Sequence, residues 1–218
     1  KMGEASDLMS KQFYLTDGEK ETLKAVSSAY HAAGKKVVAI LNVSCAIETA
    51  SWKDEVDAIL CSFQGGEQIG NSITDVLSGR VNPSGKLPVT FAANYGDAPA
   101  DNNFPHDIEP IMDFSALFGM KEAAQEKEPV RNVDYTIYEE GIYVGYRYFD
   151  TFGKAVSFPF GFGLSYTDFA YSVASSEMKD GKCSIEVKVT NTGKRAGKNV
   201  VELFVAAPQG KLEKPAKE

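Results

Sequence analysis

Residues 59–91 read ILCSFQGGEQIGNSITDVLSGRVNPSGKLPVTF, and the order of their signals decides the fold. The apolar run Ala58 to Phe63 has the look of a buried strand, and Gly65-Gly66 breaks it. Helical spacing follows, with Ile69, Ile73, Val76 and Leu77 on one face. Gly79 stands where a helix C-cap glycine belongs. Asn82-Pro83-Ser84-Gly85 is a turn, because proline presets φ and glycine supplies φ > 0. Leu87, Val89 and Phe91 then alternate as a strand does. The stretch is a βα unit whose strand ends at a cleft, the usual ligand position in an open α/β sheet.

The same grammar extends upstream. Thr16 or Asp17 starts a helix, Leu23, Val26, Ala29, Tyr30 and Ala33 form its apolar face, and Gly34 ends it. Val37 to Leu41 (VVAIL) is apolar throughout, as in a parallel strand buried on both faces. A loop from Asn42 to Ser51 and a short helical turn at residues 51–55 lead to the strand at Ala58. Alternation of this kind is expected of a layered α/β domain with a mostly parallel sheet.

Downstream, periodicity fades from about 94 to 131. That segment holds Pro99, Pro105, Pro110 and Pro129 with a charged run at 121–128, and reads as a long surface loop with a short helix at Met120 to Glu126. Two aromatic and glycine-rich stretches follow, YTIYEEGIYVGYRYFD and FPFGFGLSYTDF, expected as extended chain. After Phe169 the pattern alternates with period 2 at Tyr171 and Val173, at 184–190 and at 199–206. Turns at Asp180-Gly181 and Asn191-Thr192-Gly193 separate these runs. This is the pattern of an antiparallel β-sandwich, of which about half the usual length is present. The expected division is an α/β domain over 1–166 and an incomplete sandwich over 167–218.

Composition sets bounds on function. The chain has 218 residues, 43% hydrophobic and 24% charged, with a net charge of -7. That charge argues against a general attraction to nucleic acid or an anionic membrane. No apolar run reaches the roughly 18 residues of a membrane helix. No signal-peptide pattern opens the chain, whose first residues read as mid-domain sequence. Cys45, Cys61 and Cys183 lack any C-x-x-C spacing and are expected as buried free thiols, which tilts the reading toward a reducing, cytoplasmic interior.

Several constellations invite a chemical reading. Gly79 to Lys86 superficially resembles a phosphate loop, but five residues separate its glycines rather than four, and Leu87 replaces the magnesium-binding hydroxyl. Gly65-Gly66 lacks the spacing of a dinucleotide fingerprint, so it is a turn, either plain or lining a cleft. No cofactor is expected. His31 lies near a helix C-terminus, a structural position, His106 is undetermined, and no Cys/His spacing marks a metal site. Glu139-Glu140 read as a solvated pair. Trp52, the only tryptophan, suits either core packing or a cleft wall. Glu4 and Asp7 lie in a glycine-flanked loop outside any periodic segment; the glutamate is either solvated or a general acid.

Taken together, the motifs resemble one family. Gln64-Gly65-Gly66-Glu67, Asp75 to Gly79, Val81 to Phe91, Tyr138 to Asp150 and Phe160 to Phe169 are similar to glycoside hydrolase family 3 of the β-glucosidase type. The resemblance implies the latter part of the family's α/β sandwich domain, then the start of its fibronectin III-like domain. It implies a retaining exo-acting β-glycosidase acting on a β-glucoside or oligosaccharide, with no cofactor or metal. The nucleophilic aspartate of the family sits on a barrel domain, which is not in this sequence and is expected in cis or as a companion polypeptide; some relatives carry the domains in permuted order. The acid/base is a glutamate in a Gly-Glu-Gly-Ser-Asp-Arg-like stretch ahead of a Phe-Tyr-Leu helix entry. Gly3-Glu4-Ala5-Ser6-Asp7-Leu8 precedes Phe13-Tyr14-Leu15 here, which makes Glu4 the acid/base candidate, with Asp7 and Trp52 as candidate substrate contacts. Ala5 and Leu8 depart from the family's glycine and arginine, and those departures sustain a second reading, a non-catalytic carbohydrate-binding or interaction module on the same scaffold.

Overall fold

The longest helix among the described residues has 16 residues, Asp17–Ala32, and its start is a reciprocal cap. The Thr16 hydroxyl accepts the Glu19 amide at 3.3 Å, and the Glu19 carboxylate accepts the Thr16 amide at 2.7 Å. Two donors that the first helical turn would otherwise leave unpaired are thus satisfied. Gly34 ends the run at φ +69, a conformation that costs glycine nothing. The computed structural model describes residues 10–101 and 138–218. Glu4, Asp7, His106 and the helix expected at 120–126 lie outside them.

In chain order the helices are α1 (Ser10–Phe13), α2 (Asp17–Ala32), α3 (Ile69–Leu77) and α4 (Tyr146–Thr151). The strands are β1 (Val38–Leu41), β2 (Ala58–Cys61), β3 (Phe91–Ala92), β4 (Val156–Phe158), β5 (Phe169–Lys179) and β6 (Lys182–Asn191). Strands β1 and β2 pair in parallel, Val38 against Ala58 through Leu41 against Cys61. Strands β3 and β4 form a short antiparallel pair, and β5 and β6 a long antiparallel hairpin. An α/β unit with a parallel pair is therefore followed by antiparallel β structure, as expected.

The opening stretch folds largely as read. β2 is shorter than the apolar run, because Phe63 turns to φ +47 and leaves the strand. A 3₁₀ turn at Gly66–Gln68 enters α3, and Gly79 follows it at φ +72. Only Phe91 and Ala92 of the expected third strand join a ladder. Leu87 instead exchanges backbone hydrogen bonds with the turn at Gly161 and Phe162.

Four expectations need correction. β1 is parallel but not buried on both faces: Val38 is 41% and Ile40 43% exposed, and an open groove separates α2 from β1 at Val38. Residues 146–151, expected as extended chain, form α4, entered at Gly145 with φ +57. Residues 199–206 alternate like a strand but form no ladder; Val205 alone exchanges a reciprocal backbone pair with Glu218. Cys45 and Cys61 are half-buried and Cys183 is exposed, so the cysteines are free thiols but not buried ones.

The hairpin turn Asp180-Gly181 has both residues at positive φ, the two-residue turn whose twist matches the strands. One apolar core gathers Leu41, Val43, Ile47, Trp52 and Phe91; a second gathers Phe13, Ala92 and Phe149. Because Phe91 and Ala92 are adjacent in β3, the two cores are neighbours at the C-terminal end of β1.

The opposite end of the parallel pair is held by one carboxylate. Asp57 accepts Lys36 Nζ at 2.6 Å, the Val37 amide at 2.8 Å and makes a 2.9 Å hydrogen bond with His31 Nε2. It therefore ties the end of α2 and the start of β1 to the start of β2. The lysine hydrogen bond, then the Val37 amide and His31, hold its carboxyl well below the ordinary value of 3.8. A depressed carboxylate stabilises the fold above its unfolded pKa, and that contribution is lost as pH falls toward the folded value. Asp57→Asn should therefore lower stability most at neutral pH. The gap between wild type and variant in urea melts should narrow steadily below roughly pH 5; a gap independent of pH would remove Asp57 from this role.

Candidate functional site

The C-terminal ends of β1 and β2, where open α/β sheets place their ligands, carry a loop that is unusual for its burial. The Leu41 carbonyl accepts both the amide and the hydroxyl of Ser62, each at 3.0 Å, which locks the exits of the two strands together. From there the loop over 43–52 sends Val43, Ile47, Glu48, Thr49 and Trp52 into the interior, while Ser44, Ala50 and Ser51 stay exposed. Glu48 is 1% exposed and Thr49 fully buried.

A buried polar loop survives only if its groups find partners. The Glu48 carboxyl group accepts the Ser51 amide at 2.5 Å and the Ser51 hydroxyl at 2.9 Å. Its own carbonyl accepts the Trp52 indole at 2.8 Å. The Thr49 hydroxyl meets that of Ser157 in β4 at 2.7 Å. Lys53 donates to the Ser157 carbonyl at 3.2 Å and lies 5.0 Å from the centre of the Phe158 ring. The loop is thereby stitched to β4, far away in sequence.

The same loop anchors the segment that follows the candidate acid/base. The Glu48 amide donates to the Phe13 carbonyl at 2.9 Å. The Phe13 ring packs edge-on against Tyr14 and Tyr95, at 5.2 and 5.8 Å between centroids. The Tyr14 hydroxyl accepts the Tyr95 amide at 3.1 Å. Residues 13 and 14 are thus gripped from the β1 loop, from the 3₁₀ turn at Tyr95–Asp97 and, through the second core, from α4.

Of the residues singled out in sequence, Glu4 and Asp7 lie outside the described residues. Trp52 is 4% exposed, within the first core, with its indole nitrogen satisfied by Glu48. Its remaining edge lines an open groove of about 630 Å³ between α2 and β1, together with Leu15, Leu23, Val26, Val38 and Leu41. That groove is apolar, and its Thr16 and Glu19 are engaged in the helix cap, whereas a sugar pocket needs convergent polar groups. Among the described residues no three His, Cys, Asp or Glu side chains converge as metal ligands do. Burial pushes the Cys61 thiol up from its ordinary value, the direction of an inert rather than a reactive cysteine.

Glu48 escaped the sequence reading. Its only signal was an acid embedded in the small and apolar run Cys45-Ala46-Ile47-Glu48-Thr49-Ala50. Glu48→Ala removes the acceptor of two part-buried hydrogen bonds from Ser51 and should cost about 1–2 kcal/mol of stability. Urea denaturation followed by Trp52 fluorescence measures it; a loss below about 0.5 kcal/mol, the range of ordinary surface changes, would mean that the loop holds its shape without the carboxyl group.

With this geometry in view, comparison with known proteins is informative. Residues 1–146 match the glycosyl hydrolase family 3 C-terminal domain. A beta-glucosidase from Ruminococcus albus is 40% identical, over 99% of this chain and 20% of the relative. Beta-glucosidase A from Butyrivibrio fibrisolvens is 37% identical, over 98% of this chain and 26% of the relative. Among solved structures, beta-glucosidase 3B from Thermotoga neapolitana in complex with glucose superimposes with a TM-score of 0.80 at 41% identity, covering 97% of this chain and 27% of that one. The chain thus spans a fifth to about a quarter of the length of these relatives. The match runs through the rim built from residues 13–15 and 42–52, through α3 and through the turn that follows it, and so the chain belongs to glycosyl hydrolase family 3, through that family's C-terminal domain.

Proposed function

We propose that this chain is part of a retaining exo-acting β-glucosidase and supplies the acid/base wall of its active site, with Glu4 as the acid/base. One observation carries the reading: nearly the whole chain is shared, at 41% identity, with a beta-glucosidase whose structure holds glucose. The anchoring of Phe13 and Tyr14 supports it, because a catalytic loop entering at residue 10 needs a rigid point of attachment close behind it.

The chemistry asked of Glu4 follows from retaining glycoside hydrolysis. A carboxylate nucleophile attacks the anomeric carbon while Glu4 gives its proton to the leaving oxygen. Glu4 then takes a proton from water, and the hydroxide formed displaces the nucleophile, restoring both carboxyl groups. The nucleophile belongs to a barrel domain in cis or in a companion polypeptide. Asp7 is assigned a supporting contact to the sugar. The burial of Trp52 supports its core reading over a cleft wall. The α/β portion extends over 1–166, and residues 167–218 begin a fibronectin III-like sandwich, of which β5 and β6 form one hairpin.

Glu4→Gln in the intact protein should slow β-glucosides with poor, basic leaving groups by about 10²–10⁴, the usual contribution of general acid catalysis. Aryl glucosides with acidic leaving groups need little protonation and should be spared in the glycosylation step. Steady-state and burst kinetics on a leaving-group series separate the two; an equal loss across the series would take the acid role from Glu4. The isolated 218 residues should show no turnover, and any measurable rate would place the nucleophile within this chain.

A further inference from the structure

The turn Asn82-Pro83-Ser84-Gly85 closes the stretch that decides the fold, and neither the phosphate-loop reading nor the glycosidase reading explains its chemistry. The structure shows what its asparagine does. Asn82 Oδ1 accepts the Ser165 hydroxyl at 2.9 Å and the Tyr166 amide at 2.8 Å. Asn82 Nδ2 donates to the Ala196 carbonyl at 3.1 Å. A single side-chain amide therefore joins the end of the α/β unit to both flanks of the β5–β6 hairpin: the bend leading into β5 and the loop leaving β6.

Two further side chains close the arrangement on the C-terminal end of α3. The Tyr166 hydroxyl donates to the Val76 carbonyl at 3.0 Å. Arg195 Nη1 donates to the Gly79 carbonyl at 3.3 Å, and its guanidinium lies 5.7 Å from the centre of the Tyr166 ring. The carbonyls at a helix C-terminus lack intrahelical donors and carry partial negative charge, so a phenol and a guanidinium are suitable partners there. Asn191 holds the arginine loop in turn, donating from Nδ2 to the Arg195 carbonyl at 2.7 Å.

The backbone is cut to fit. A Cβ on Gly197 would stand 2.6 Å from Asn82 Nδ2, and one on Gly79, already at φ +72, would stand 2.8 Å from Arg195 Nη1. A side chain at either glycine would have to displace a member of this arrangement.

We propose that Asn82, Tyr166 and Arg195 form a clasp that makes α3 and the base of the β5–β6 hairpin a single rigid body, with the Asn82 amide at its hub. The other end of α3 is entered from Ser62 to Gly66 at the rim of the candidate site. The helix is then a strut, and the hairpin unit has a fixed orientation to that rim rather than swinging on a linker.

Hydrogen exchange read by mass spectrometry on the intact protein tests this without reference to activity, so the outcome is independent of Glu4. Asn82→Ala should speed exchange about tenfold, the effect of losing hydrogen bonds of this kind, in peptides covering 161–168 and 193–199, while α2 and β1 keep their protection. Asn82→Asp keeps the oxygen acceptor and loses the donor. It should open 193–199 and leave the Tyr166 amide protected. Unchanged exchange in both segments, or a uniform rise that includes α2, would overturn the clasp. Should the alanine variant not fold, the aspartate variant decides alone: an equal response of the two arms would overturn it.

Discussion

The structure depends on a loop that enters the interior. The loop over 43–52 leaves the end of β1 and buries Ile47, Glu48, Thr49 and Trp52, and the hydrogen bonds of Glu48 and Thr49 make that burial tolerable. Taking a carboxyl group and a peptide out of water is costly unless both are paired. Glu48 pairs them at once: its side chain closes the turn onto Ser51, its carbonyl receives the Trp52 indole, and its amide holds the Phe13 carbonyl. The Trp52 packing, the first core and the attachment of residues 13–14 all follow from that one position.

A second constraint acts on the other face of the βα unit. Helix α3 has only nine residues, too few to persist by local propensity. None of its side chains is fully buried, and at its C-terminal end Tyr166 and Arg195 add donors to the Val76 carbonyl and to the Gly79 carbonyl just beyond the helix. The aromatic residues between the two regions serve the same end. Phe158 meets Phe91 at 6.3 Å and Phe162 at 5.0 Å, while Tyr146 stacks on Phe160 at 4.8 Å. Within the described part of the glycine- and aromatic-rich stretches, Tyr146, Phe158, Phe160 and Phe162 thus pack ring against ring. Apolar faces remain open at Val38 and Ile40 of β1 and at Tyr171, Val173 and Val189 of the hairpin. Faces of that kind are ordinarily covered in parallel sheets and sandwiches.

Much of this architecture was legible in the residues. The cap at Thr16, the stop at Gly34, the face of α3, the glycine after it and the turn at Asp180-Gly181 were all readable, because each depends on neighbours within a few positions. The family was legible for a related reason: its motifs are short and ordered. The candidate site was legible only in part. Glu4 and Asp7 rest on the resemblance and lie outside the described residues, and of the two readings of Trp52 its burial favours core packing. Glu48 was overlooked, since a glutamate between apolar and small residues has no local marker that distinguishes a satisfied interior acid from an exposed one.

The sequence by itself determined the helix–strand order from α2 to α3, the turns at Gly34, Gly79 and Asp180-Gly181, the parallel character of β1 and β2, and the family. Only the tertiary structure decided that residues 146–151 are helical, that residues 199–206 find no ladder, that Glu48 is buried and that Asn82 is a hub. The physical reason is range. Helix caps and turns are closed by atoms three or four residues apart, so their chemistry is written locally. The contacts that place the loop and the clasp join Thr49 to Ser157 across 108 positions and Asn82 to Ala196 across 114, and no periodicity along the chain encodes which distant group will arrive to satisfy a buried donor or acceptor.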